Sequence, residues 1–248
     1  MRVGSGAWAT TTTAAIAALW PETDPRTPML VEADASGGDL AARLRLPVDP
    51  GLVQVAADAR HGAPADVLHR HAQQAQVAGR QLPVVVAPPG PAQARVALPT
   101  LVRSGALRGP ADTVLHIDAG RIAPHDPAWP LLAQADAVVA VVRAHTDALA
   151  HLAAINTDLQ RAAGPRLVIL LADGVYPPQE VATAFDVAVL PMSVPTDAQA
   201  AAILSGQLDA GRRWRRLPLF CAAADIAASL SEGIDVSLSD EQSVEVTV

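Results

Sequence analysis

Six short apolar runs recur along the chain, at 28–33 (PMLVEA), 82–87 (LPVVVA), 113–117 (TVLHI), 137–142 (AVVAVV), 166–171 (RLVILL) and 187–190 (VAVL). Each pair is far enough apart to hold a helix, and the stretches 10–20, 39–44, 92–101, 146–162 and 197–204 carry helical spacing. A strand that is apolar along its whole length is buried on both faces, and such strands alternating with helices form crossover units. The expected fold class is therefore α/β, a mainly parallel sheet with helices on both faces.

No Gly, Ser or Pro linker divides the 248 residues, and no repeat of fixed period is present, so 1–231 reads as a single α/β domain with ample core. The segment 232–248 carries Glu232, Asp235, Asp240, Glu241 and Glu245 with few large apolar residues, and is expected to be a flexible acidic tail. Its last six residues, SVEVTV, have the composition of an edge strand as the alternative.

The charged residues exclude several classes of function. All 18 basic residues are arginine, so neither a Schiff-base lysine nor a phosphate-binding lysine exists in this chain. The formal charge of −7 disfavours nonspecific nucleic-acid binding. A single cysteine, Cys221, rules out an intramolecular disulfide and a thiolate metal cluster, as suits a reducing cytoplasm. Apolar runs fall far short of the roughly 18 residues needed to span a bilayer. Arg2 and the Ala-rich stretch after it resemble a secretory leader only faintly, because Thr10 to Thr13 interrupt the apolar region and no small-residue cleavage pattern follows. The expected location is the cytoplasm, and the Arg- and Ala-rich bias reads as a GC-rich bacterial genome.

Ligands of open α/β sheets bind at the carboxyl ends of strands. The first such turn reads Gly4-Ser5-Gly6-Ala7-Trp8-Ala9-Thr10-Thr11-Thr12-Thr13, small residues leading into a helix whose free N–H groups and hydroxyls suit a phosphate or another anion. The plainer alternative is that these threonines cap the helix. Two later strands end in acids, Glu32-Ala33-Asp34 and Ile117-Asp118, an arrangement that suits a phosphate, a divalent cation and an attacking water. Asp34 and Asp118 as helix caps remain the structural alternative.

These stretches together resemble the ParA/MinD family of deviant P-loop ATPases, which position chromosomes, plasmids, division machinery and secretion or pilus complexes. The resemblance runs from the first turn to the helix beginning near Pro218 and implies a P-loop NTPase-like three-layer sandwich. The family loop GKGGVGKTT is matched in length and position by 4–12, with Gly4, Gly6, Thr11 and Thr12 identical. By the resemblance Thr11 would offer a magnesium-binding hydroxyl, Asp34 would orient the hydrolytic water, Asp118 would hold magnesium through water, and Asp173 stands near a base-contacting asparagine. ATP and magnesium are the implied cofactors if nucleotide binds.

The match fails where charge is needed. Ser5 and Thr10 replace the family's two lysines, Ala7 and Ala9 replace glycines, and Trp8 adds bulk. Each lost charge-assisted contact is worth roughly 1.5–3 kcal/mol where transition-state charge develops. Arg43, Arg121 and Arg143 are the candidates to replace it from neighbouring loops, with solvated surface roles as the plainer reading. Only Met1, Arg2 and Val3 precede Gly4, whereas a buried central strand usually needs about five residues, so either the native start lies upstream or the strand is stunted.

Other features carry less. His69 and His71 point about 200° apart on a helix and His61 lies elsewhere, so no metal site is expected. His116 reads as a packed histidine rather than a base. Arg212-Arg213-Trp214-Arg215-Arg216 is a basic, aromatic-containing cluster suited to nucleic acid or an anionic membrane surface, with a solvated loop as the plainer reading. The leading expectation is a pseudo-ATPase: a non-hydrolysing scaffold or positioning factor that acts through protein partners, a homodimer among them. The alternative is an active ATPase with an unconventional loop, and the third reading is an anion or nucleotide sensor without turnover.

Overall fold

Strands form where β-branched and leucine residues run together, and helices where alanine dominates between them. The computed structural model describes residues 7–60, 62 and 66–239. In chain order these build α1 (Ala7–Ala18), β1 (Thr27–Glu32), α2 (Leu40–Leu44), α3 (Leu52–Ala59), α4 (Val67–His71), β2 (Gln73–Val77), β3 (Arg80–Val85), α5 (Pro91–Ser104), β4 (Thr113–Asp118), α6 (Trp129–Leu132), β5 (Val138–Arg143), α7 (Thr146–Ala163), β6 (Leu167–Ala172), α8 (Pro178–Phe185), β7 (Ala188–Val194), α9 (Ala198–Leu204) and α10 (Pro218–Ser239). All six expected strands are present, each within a few residues of its expected bounds.

The expected α/β class and mainly parallel pairing hold. Among the described residues the strands form two hydrogen-bonded groups, β2-β3-β1-β4 and β5-β6-β7. β1 pairs in parallel with β4 over its whole length, from Thr27↔Thr113 to Glu32↔Asp118, and with β3 on its other side. β5, β6 and β7 are also parallel.

β2 was not anticipated. It is the one antiparallel strand among those described, joined to β3 by Ala78 (φ 45°) and Gly79 (φ 80°), the double left-handed turn that matches strand twist. Its sequence QQAQV is half polar and buries alternate residues, Ala75 and Val77, so a search for continuous apolar runs passes over it.

Alternation along β1 divides the core into layers. Leu30 joins Ala14, Ile16, Trp20, Phe220 and Ile226 of α1, its exit turn and α10, while Met29 and Val31 face Leu52, Val55, Leu98 and Leu101 of α3 and α5. Leu170 and Ala172 of β6 belong to the same cluster as Leu30, so one packed layer runs beneath both strand groups. Ile169 and Leu171 face the opposite way, onto Leu152 and Leu159 of α7. Between β4 and β5 lies a cavity of about 590 Å³ lined by Ile16, Ile117, Val139, Val141 and Ile155 among others.

α10 continues to Ser239, eight residues into the segment expected as an acidic tail. Residues 240–248, with the SVEVTV run, lie outside the described residues. No helix among the described residues is long and apolar enough to cross a membrane.

Candidate functional site

The site starts at α1. Gly4, Ser5 and Gly6 lie outside the described residues. Ala7, Trp8 and Ala9, expected as loop, are the first residues of α1. Alanine is the strongest helix former and glycine among the weakest, so alanines at two family glycine positions favour helix there over loop. Trp8 is partly buried against the core cluster and lines the β4–β5 cavity. Thr10 and Thr12 are buried, and the Thr12 hydroxyl has no hydrogen-bond partner among the described residues.

The parallel register of β1 and β4 sets Glu32 beside Asp118, and both are 1% exposed. Glu32 Oε1 accepts the backbone N–H groups of Asp39 (2.6 Å) and Leu40 (2.9 Å), and Oε2 accepts that of Ala87 (2.9 Å). Glu32 thereby ties the start of α2 to the end of β3. Burial pushes its carboxyl up to about 7 against the opposing pull of those three donors. The expected importance of this strand end lay in Asp34, and Glu32 is the residue that sequence reasoning passed over.

Asp34 stands just beyond β1. Its Oδ1 accepts the Ser36 N–H at 2.6 Å, closing a local turn rather than capping a helix. Burial raises its pKa, and the charges of Asp126 and Asp39 add to that rise. Gly120, at φ 65°, lies against the Asp34 carboxylate so closely that a Cβ would collide with it. Asp118 Oδ1 accepts the Gly120 N–H at 3.0 Å, and the Thr10 hydroxyl beside the carboxylate favours its charged form. Asp118 Oδ2 is buried with no hydrogen bond among the described residues, and burial raises the pKa of this group too.

Arg121 lines the β4–β5 cavity together with Trp8 and Thr12 of α1, and Arg43 reaches α1 by hydrogen bond. Arg43 of α2 donates from Nη1 to Thr11 Oγ1 (3.3 Å) and from Nη2 to Asp39 Oδ2 (3.0 Å). Its side chain is 18% exposed, so the plainer reading of Arg43 as a solvated surface residue does not hold. Arg143 instead pairs with Asp147 (3.1 Å) on α7.

The fold thus brings Thr10, Thr11, Asp34 and Asp118 together and adds Glu32, Asp39 and Arg43. Asp173 stands at the end of β6, where its Oδ2 accepts the Thr196 N–H at 2.6 Å and holds the segment entering α9. His116 is fully buried edge-on to Trp20 (4.7 Å between ring centres), and burial with the nearby Arg80 charge lowers its pKa to about 3. That keeps it neutral and inside the core, consistent with a packed histidine. His71 pairs with Asp58 (2.9 Å), His61 lies outside the described residues, and among those described no cluster of His, Cys, Asp and Glu is arranged to hold a metal. In the basic cluster Arg212, Arg213, Arg215 and Arg216 are exposed, whereas Trp214 packs edge-on against Phe220 at 4.8 Å and beneath Arg215.

No family model and no curated protein matches the sequence. Solved structures do match. A ParA family ATPase from Chlorobium tepidum TLS superposes with a TM-score of 0.67 at 15% identity, covering 88% of this chain and 91% of that one. The cell division ATPase MinD of Pyrococcus furiosus gives 0.64 at 17% identity over 92% and 94%. The septum site-determining protein MinD of Pyrococcus horikoshii OT3, solved with Mg-ADP, gives 0.61 at 19% identity over 97% and 96%. The chain has the fold of these P-loop ATPases.

Proposed function

From a ParA/MinD fold whose nucleotide end is acidic and holds no lysine, we propose that this chain is a pseudo-ATPase: a scaffold or positioning factor that hydrolyses no nucleotide and works through protein partners. The machinery it serves would be of the kind its fold relatives position, for example secretion, pilus or partition complexes. The observation that carries this reading is the charge around α1. Glu32, Asp34, Asp39 and Asp118 converge there, and the Arg43 guanidinium is already committed to Thr11 and Asp39.

A triphosphate carries its negative charge into the place where these carboxylates lie, and with no cation between them like charges at short range in a partly buried site repel strongly. The relatives' chemistry needs cations on the β- and γ-phosphates, and this chain has no lysine to supply one. Helix in place of loop at Ala7 to Ala9 also removes backbone that would wrap a phosphate. The hydroxyl of Thr11, the position the family uses for magnesium, has a cation against it. On this reading the residues do not fit a magnesium nucleotide.

The competing reading, an active ATPase with an unconventional loop, draws on the placement of Asp34 and Asp118 at adjacent strand ends. Titration of the full chain with fluorescent ATP and magnesium separates the two, with Asp118→Ala alongside. The expected result is no binding at millimolar nucleotide; micromolar binding that Asp118→Ala abolishes would establish the ATPase instead.

A further inference from the structure

We propose that Arg43 is the resident cation of this acidic strand-end site, its guanidinium standing in the space a divalent metal would need at the Thr11 hydroxyl. The inference deepens the pseudo-ATPase reading and rests on it.

Three observations support it. First, Arg43 is 32 residues from Thr11 in sequence, so their contact is a product of the fold and not of one helix. An ordinary i,i+4 surface pair with Asp39 would leave the guanidinium in water; here the side chain is 18% exposed while that of Asp39 is 66% exposed. Second, α2 is held in place from beneath, because buried Glu32 accepts the N–H groups of Asp39 and Leu40 at its start. The start of the helix carrying Arg43 is therefore tied to β1, which places the base of the arginine side chain beside α1. Third, Asp118 is 1% exposed and its Oδ2 is unpartnered among the described residues, a buried acceptor that gains from a cation nearby.

A guanidinium has five donors and no acceptor, so it can satisfy hydroxyl and carboxylate oxygens but cannot share a hydroxyl lone pair with a metal at close range. A metal bound to Thr11 Oγ1 would sit within a few ångströms of a fixed positive charge and would be repelled. Arg43 in this role offsets charge on Asp39 and at Asp118, so the site keeps its arrangement with neither metal nor nucleotide.

The probe is manganese alone, with binding to the full chain read by electron paramagnetic resonance and melting temperature read in parallel. Wild type is expected to bind no manganese at millimolar concentration and to melt at the same temperature with or without it. Arg43→Ala is expected to melt lower without metal, to bind manganese at least about tenfold more tightly than wild type, and to recover melting temperature as metal is added. Arg43→Lys, which keeps a cation, is expected to stay metal-insensitive. Arg43→Gln, which keeps the stem, serves the same purpose should the alanine variant not fold. Manganese binding by wild type, or variants lacking the cation that bind no better than wild type, would overturn the proposal. The nucleotide titration above reads the parent hypothesis separately: wild type that ignores ATP, with Arg43 variants that ignore manganese, sinks this inference alone.

Discussion

Two buried titratable side chains, His116 and Glu32, pull the pH dependence of stability in opposite directions. The His116 pKa is lowered from 6.5 to about 3, so the unfolded chain binds the extra proton between those values. Its contribution is intact above pH 6.5 and is lost as pH falls toward 3, at most about 5 kcal/mol. Glu32 is raised from 4.5 to about 7, so here the folded chain binds the extra proton. Stability is intact below pH 4.5 and is lost as pH rises toward 7, at most about 3 kcal/mol. Denaturant unfolding across that range should therefore show His116→Phe gaining on wild type as pH drops below 6.5. Glu32→Gln should gain on wild type as pH rises from 4.5 to 7; parallel profiles for variant and wild type would contradict the assignment of either group. Gly120→Ala acts on the same site through backbone. With φ at 65° and the Asp34 carboxylate against its Cα, the substitution should cost roughly 1–3 kcal/mol in chemical denaturation.

At the scale of elements, one carboxylate ties two helix starts together. Asp197 Oδ1 accepts the Ala200 N–H at 2.9 Å, capping α9, and its Oδ2 receives the Leu219 N–H of α10 at 3.4 Å. One carboxylate thus serves two helix starts, and Asp197→Ala should destabilise by about 1–2 kcal/mol, at the upper end for a cap, as read by thermal or urea unfolding. α10 packs on α1 through Phe220, which is fully buried and meets Trp214 edge-on at 4.8 Å. Phe220→Ala should cost about 3–5 kcal/mol and shift Trp214 fluorescence, because it removes the ring that Trp214 leans on. The same contact holds Trp214, partly buried, against the protein, with the arginines of the 212–216 stretch exposed around it.

The two strand groups share one buried layer, with Leu30 and Val84 on one side and Leu170 and Val194 on the other. A core common to both predicts one cooperative transition: tryptophan fluorescence and far-ultraviolet circular dichroism should give the same urea midpoint, and two separated midpoints would show that the groups unfold independently. Much of this architecture was legible beforehand. Continuous apolar runs such as LVILL and AVVAVV announce strands buried on both faces, because burial pattern is written in consecutive residues. The acids at the ends of β1 and β4 could be placed on one sheet edge for the same reason, since parallel strands put their carboxyl ends side by side. β2 escaped because its burial alternates, and the early start of α1 because the family loop suggested otherwise while alanine favoured helix. What no local pattern contains is which distant groups meet. The reach of Arg43 to Thr11 and the grip of Glu32 on Asp39, Leu40 and Ala87 depend on how crossover connections lay α2 and β3 against β1. Periodicity specifies the faces of elements, whereas contacts across tens of residues follow from packing those faces together, and in this chain that packing decided what charge its site holds.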